Sequence, residues 1–185
     1  MATLLEQQLL TAEEYLRLPD DGRLTELVRG RIVEMNRSFT ALGYICGEVT
    51  GLLREFVKRN ELGRVVCNDA VVITQRDPDT VRGPDVAFYS YHRVPRGPLP
   101  EGYWQVGPEL AVEVRSADDR WKDVLRKVSE YLSADVLTVA VIDPASRRVH
   151  LFSADREMTV LNSNDLLTFP DVLPGFGVTV GQLFE

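Results

Sequence analysis

The apolar positions of this chain change their period from segment to segment, and those changes mark out its elements. From residue 38 to about residue 59, Phe39, Leu42, Ile45, Val49, Leu52, Leu53, Phe56 and Val57 recur at the spacing of one helix face. Before them, Thr11-Ala12-Glu13-Glu14 has the form of a capping box leading into Tyr15 and Leu16, which predicts a short helix. Pro19-Asp20-Asp21-Gly22 breaks the chain, and residues 25–28 and 31–35 then flank Arg29-Gly30 as a β-hairpin. Residues 64–75 gain β-branched side chains and read as one long strand or a bent pair. A turn at Arg76-Asp77-Pro78-Asp79 precedes a strand opening at Pro84-Asp85. Residues 95–108, rich in Pro and Gly, read as an irregular surface loop. A strand around Glu113 follows, then a helix over residues 118–133. A second hairpin spans 137–142 and 148–152 around Asp143-Pro144, and short tail strands lie near 158–161 and 177–180. Gly43, Gly47 and Gly51 share one face of the long helix. Each costs ~1 kcal/mol against Ala in an exposed helix interior, so close packing of that face on a neighbour is expected.

Alternation in the two central strands places chemistry as well as core. Leu110, Val112 and Val114 point to one side, and Glu109, Ala111 and Glu113 to the other. In the preceding strand Asp85, Ala87 and Tyr89 oppose Val86 and Phe88. Each acid therefore shares its face with an alanine, and small neighbours leave a hollow beside a carboxylate. If the strands pair, the acids lie side by side. Two adjacent carboxylates repel unless a cation or proton intervenes, which favours Mg²⁺. Plainer readings compete with this one. Asp after Pro is a common turn residue, Glu113 fits the wet face of a half-buried strand, and Lys127 with Asp123 makes an i,i+4 pair worth ~0.2–0.5 kcal/mol. On residue types alone the plainer readings prevail.

Composition narrows the classes. The 185 residues suit one domain, and 44% apolar with 26% charged residues is ordinary for a globular protein. No apolar run reaches the ~20 residues that cross a membrane, so no membrane partner is expected. No basic segment precedes an apolar one at the N-terminus, so no secretory leader is expected and the cytoplasm is the default setting. Cys46 and Cys67 match no metal or redox spacing and read as reduced core thiols. His92 and His150 lack companions for a zinc site and read as surface or packing residues. Tyr103 and Trp104 read as an anchor for the Pro-rich loop. A net charge of −7 argues mildly against a nucleic-acid partner, because phosphate-binding proteins are usually basic. Arg115, Arg120, Lys122, Arg126 and Lys127 do cluster, but Asp118, Asp119 and Asp123 interleave with them.

The stretch Glu113-Val114-Arg115-Ser116, continuing through Asp123, Lys127 and Tyr131 to Val141-Ile142-Asp143-Pro144, changes the balance. With Glu26-Leu27-Val28-Arg29-Gly30 and Gly83-Pro84-Asp85-Val86 upstream, it resembles the bacterial family of putative restriction endonucleases of the Uma type, within the PD-(D/E)XK nuclease superfamily. The resemblance runs from Thr11 to Phe184. It implies Asp85 and Glu113 as metal ligands, with Glu26 a further ligand or water-orienting acid. The superfamily usually places its lysine two residues after the second acid, where this chain has Arg115. In this branch the resemblance moves that role to Lys127 on the following helix. Departures fall at Ala117 (often proline in the family), at Gly43 or a neighbour (often histidine), at Asp135 (glycine) and at Ala140 (tryptophan).

The expectation is a single α/β domain spanning residues 1–185, with a central mixed β-sheet flanked by helices, restriction-endonuclease-like. Its expected activity is Mg²⁺-dependent hydrolysis of DNA phosphodiesters, with Mn²⁺ substituting. Asp85, Glu113 and Glu26 hold the metal or its water, and Lys127 orients or deprotonates that water and stabilises the growing phosphorane charge, with Asp123 or Tyr131 steering it. The alternative is a nuclease-like protein, weak or inactive in catalysis, used for nucleic-acid binding or assembly. Cutting both strands of a duplex is simplest with two copies of a site, which makes a homodimer a natural expectation.

Overall fold

The computed structural model describes residues 9–36 and 39–185. Helix α1 (Ala12–Leu16) starts at the expected capping box: Thr11 accepts from the Glu14 N–H, and the Glu14 carboxylate accepts from the Thr11 N–H. Strands β1 (Thr25–Val28) and β2 (Arg31–Glu34) form the expected hairpin, with Arg29 and Gly30 both in the left-handed region that such a two-residue turn needs. The long helix, α2, runs Thr40–Arg59. Its expected first residue, Ser38, lies outside the described residues. Ile45, Val49, Leu53 and Val57 form its buried stripe, while Phe39 is exposed.

The stretch expected as one long or bent strand is two strands in different sheets, β3 (Gly63–Cys67) and β4 (Val72–Gln75). Asn68 and Asp69 make the corner, both at positive φ, a conformation their short polar side chains tolerate. Strand β5 (Thr80–Arg82) has no counterpart in the sequence reading. It pairs with β4 and β1, giving a four-stranded sheet in the order β2-β1-β5-β4.

Strands β6 (Val86–Ser90), β7 (Leu110–Val114), β8 (Thr138–Asp143), β9 (Arg148–Ser153) and β10 (Arg156–Leu161) complete a six-stranded sheet, ordered β10-β9-β8-β7-β6-β3. Only β7 and β8 run parallel in it, and α3 (Trp121–Ser133) is their crossover. After α3, Asp135 takes the left-handed conformation at φ +62°, which explains a glycine preference at that position. The tail adds β11 (Leu166–Phe169), which the sequence reading lacks, β12 (Leu173–Thr179) and a 3-10 helix (Val180–Phe184).

Helices α2 and α3 cover opposite faces of the six-stranded sheet. On one face α2, β11, β12 and the 3-10 helix pack onto Val86, Phe88, Leu110, Val112, Val114, Ala140 and Ile142. On the other, Val124, Val128 and Tyr131 of α3 pack onto Ala111, Val139 and Val141. The mixed sheet flanked by helices is thus as expected.

Three expectations are corrected. A methyl group at Gly43, Gly47 or Gly51 would meet nothing within 4 Å, so these glycines are not a close-packing face. Cys67 is exposed rather than in the core, whereas Cys46 is partly buried; both are free thiols. Glu113 is not on a wet face, because both sides of β7 are covered. The Pro-rich loop is irregular, and Trp104 packs its ring 4.5 Å from that of Tyr89, as an anchor would. His150 packs edge-on against Trp121.

Candidate active site

Strand pairing brings the two acids together. β6 and β7 pair antiparallel with Val86 opposite Val112, so one step further Asp85 comes level with Glu113. The Asp85 carboxylate accepts a 2.6 Å hydrogen bond from the Val114 N–H, which ties it to the neighbouring strand just where β6 begins. Glu113 lies on the Ala111 side of β7, beneath α3. There the Tyr131 hydroxyl donates to Glu113 Oε1 at 2.7 Å, and the Lys127 ammonium stands 3.5 Å from Oε2. The crossover helix thus delivers the lysine that the strand does not. Arg115, at the alternative position, is occupied elsewhere: it pairs with Asp143 at 3.1 Å and lies over the Trp121 ring.

Glu26 enters from the other sheet. Its Oε1 is 3.0 Å from Lys127 Nζ, and its Oε2 accepts from Arg82 at 2.6 Å. Arg82 in turn reaches Glu130 of α3 through Nε, also at 2.6 Å. Asp123 is not part of this set; its partner is Arg126, on the exposed face of α3. Tyr131 acts on the glutamate rather than on the lysine.

Asp85, Glu113, Lys127, Glu26 and Arg82 line a cavity of about 360 Å³ between the two sheets, together with Asp69, Ser116 and Asp119. Apolar side chains, among them Leu18, Leu24, Ile32 and Leu42, complete its walls. Asp69 is held against Gly83: a Cβ on that glycine would lie 2.7 Å from the Asp69 Cβ and 2.8 Å from its carbonyl oxygen. The glycine ahead of Pro84-Asp85 therefore permits a backbone approach that no other residue allows.

Burial governs the electrostatics of the acids. Burial, with the Asp69 charge adding, pushes the Asp85 carboxyl up to about 6, although the Val114 N–H, Lys127 and the Cys46 thiol favour its ionised form. Burial likewise pushes Glu113 up to about 7; Asp85 and Glu26 add to this, while Lys127 and the Tyr131 hydroxyl oppose it. Burial disfavours charge on Lys127 as well, but Glu113 and Glu26 outweigh it and hold the amine above its ordinary value. Burial and then Asp85 push the Cys46 thiol up to about 12, so it stays protonated beside the acid.

Among the described residues, no group of three or more His, Cys, Asp or Glu side chains is arranged to hold a metal ion. Glu26 is taken up by two cations of the protein itself. What is available is a pair of hard carboxylate donors, Asp85 and Glu113, open to a cavity. That set fits a hard divalent cation held through one or two carboxylates and otherwise by water.

Asp69, Arg82 and Glu130 were not foreseen. Glu130 had a signal, since it lies three residues from Lys127 and so on the same side of α3. Arg82 precedes the Gly83-Pro84-Asp85 motif in a strand too short for periodicity to reveal. Asp69 depends on a chain reversal between two sheets.

A family model described as Uma2, putative restriction endonuclease, matches residues 12–181, and the chain belongs to that family. Among solved structures, the fold matches the crystal structure of a putative nuclease belonging to DUF820 from Anabaena variabilis ATCC 29413. The TM-score is 0.83 at 20% identity, over 95% of this chain and 97% of that one. The architecture is restriction-endonuclease-like. Comparison with curated proteins gives no match.

Proposed function

We propose that this Uma2-family chain hydrolyses DNA phosphodiesters with Mg²⁺, or Mn²⁺ in its place, in the PD-(D/E)XK manner. The observation that carries the proposal is the level pairing of Asp85 and Glu113, with Lys127 beside Glu113, in one cavity. A bound divalent ion would supply charge to polarise the scissile phosphate and promote hydroxide formation. Asp85 and Glu113 would hold it; burial favours their neutral forms, and an added positive charge would favour the ionised ones.

Lys127 is an ammonium throughout the neutral range, because two carboxylates outweigh its burial. It therefore serves better as a cation than as a base: it hydrogen-bonds the attacking water and offsets the charge that grows on the phosphorane. Tyr131 keeps Glu113 Oε1 in place by its hydroxyl. Glu26 contributes by holding Lys127, and its carboxylate, in the same cavity, would help to orient water. A cytoplasmic setting and a homodimer, whose two sites would serve the two strands, go with this reading. No helix among the described residues is long and apolar enough to cross a membrane.

One observation favours a second reading, a nuclease-like protein that binds or assembles without cutting: the net charge of −7. Incubating the protein with supercoiled plasmid and short duplexes in Mg²⁺ or Mn²⁺ separates the two. Nicking that is lost in Glu113→Ala and Lys127→Ala supports hydrolysis. Cleavage unchanged in both variants would remove the site, and a wild type that neither cuts nor gains stability from metal leaves the binding reading.

A further inference from the structure

Arg82 has no place in the proposed chemistry, yet it is among the most deeply buried charged groups, at 3% exposure. Its guanidinium links two elements from different layers. Nη1 donates to Glu26 of β1 and Nε to Glu130 of α3, both at 2.6 Å. Glu26 is in turn 3.0 Å from the Lys127 ammonium, which is itself on α3. The result is a closed loop: the helix that carries the lysine is bound through Glu130 to Arg82, and through Arg82 to the carboxylate that grips the lysine.

From this loop we infer that Arg82 is a positioning residue, which aims Lys127 at the Asp85–Glu113 pair by fixing Glu26 between two cations. Three physical points support the inference. A lysine side chain on a helix is long and rotamer-rich, so a single 3.5 Å contact to Glu113 would not hold it in one place. Glu26 alone would swing with it, but a carboxylate pinned by a planar guanidinium loses that freedom. The arrangement is also expensive to bury, and a buried charge network is weak evidence for stability alone. Directional hold on the lysine is what it adds. The four-stranded sheet then has a function beyond cover: β1 and β5 supply the grip for an amine that belongs to the other layer.

The inference rests on Lys127 as the site's functional amine, but its test needs no cleavage. The chain has three lysines, Lys58, Lys122 and Lys127, and the first two are exposed. With ¹⁵N-labelled lysine, a gripped ammonium exchanges its protons slowly enough for NMR detection, whereas exposed ones do not. Wild-type protein is expected to show one sharp ammonium signal at fixed pH and temperature, absent in Lys127→Arg. Arg82→Lys keeps the buried charge but loses the planar fork that donates to Glu26 and Glu130 in two fixed directions. The signal of the lysine it introduces is identified as the one that persists when Lys127→Arg is added, and the Lys127 signal should broaden or vanish while the backbone amide spectrum stays that of the folded protein. Arg82→Met should erase it too if that variant folds. An unchanged Lys127 signal in folded Arg82→Lys overturns the inference, as does the absence of any gripped ammonium in the wild type. Plasmid nicking is scored separately. Loss of the signal in a wild-type background that never cuts DNA would sink the hydrolytic reading and leave the role of Arg82 standing.

Discussion

On one face of the six-stranded sheet, Val86, Phe88, Leu110, Val112 and Val114 pack against apolar side chains from α2, the tail hairpin and the 3-10 helix. On the other face the same two strands present Ala87 and Ala111, and at one end Asp85 and Glu113, beneath elements that bring in Lys127, Tyr131, Glu26 and Arg82. A single strand thus builds both, because alternate residues of β7 belong to different environments. The apolar face gains stability from every residue it buries. The charged face gathers acids whose mutual repulsion and burial work against folding, which is tolerable only because the first face holds the sheet in place.

That contrast can be broken by substitution. On the charged face, Glu113→Ala or Lys127→Ala should lower the rate of plasmid nicking by about 10²–10³-fold or more, read by gel under Mg²⁺ or Mn²⁺. The backbone spectrum should stay folded. On the apolar face, Leu53→Ala should do the reverse: it should destabilise by about 2–5 kcal/mol in urea unfolding and leave nicking intact where the protein is folded. A Leu53 variant that loses activity while fully folded would show that the two faces are not independent.

The carboxylates sharpen the contrast through pH. Asp85 and Glu113 titrate above their ordinary values in the fold, so what their protonation contributes to stability is present at low pH and is lost as pH rises through about 6 and about 7. Asp79 and Asp143 behave oppositely. Burial raises both, but the Ala12 and Asp77 N–H groups with Arg76 at Asp79, and Ser146 with Arg115 at Asp143, outweigh it and leave each below its ordinary value. Their stabilisation is present at neutral pH and fades only as pH falls below about 4. Thermal unfolding in EDTA should therefore show a decline between pH 5.5 and 8, separate from acid denaturation. Mg²⁺ should reverse it at pH 8, by about 2.7 kcal/mol at a hundred times its dissociation constant, and do little at pH 5.5. A flat neutral profile, unmoved by Mg²⁺, would remove the site's electrostatic distinction.

The smallest effect tests the outer surface of α2. Gly47 is helical, exposed and free of neighbours, so Gly47→Ala should raise stability by about 0.5–1 kcal/mol in the same urea assay. A loss instead would mean that this surface is covered in solution.

Much of this was legible in the chain, for reasons that differ by element. The capping box at Thr11 and Glu14, the α2 stripe and the alternation in β6 and β7 are local signals, and each formed as read. Asp85, Glu113 and Lys127 were marked by the family resemblance, with alternation setting the two acids beside alanines, and the fold brings them to one cavity. Glu26 was marked too, though its partners, Lys127 and Arg82, were not. The helical glycines misled, since propensity suggests a packing reason where the fold left open space. Strands β5 and β11 are too short for a period to show, and the separation of β3 from β4 depends on a corner at two left-handed residues.

By itself the sequence determined which residues alternate, which helix face is apolar and which acids interrupt the apolar runs, because those properties follow from periods of two and 3.6 residues. Only the tertiary structure decided that Asp85 stands level with Glu113, that the crossover helix lays Lys127 beside Glu113, and that Arg82 and Glu26, on adjacent strands of a second sheet, meet that lysine. These are distances between residues far apart in the chain. They are set by strand register and layer packing, which no local pattern encodes.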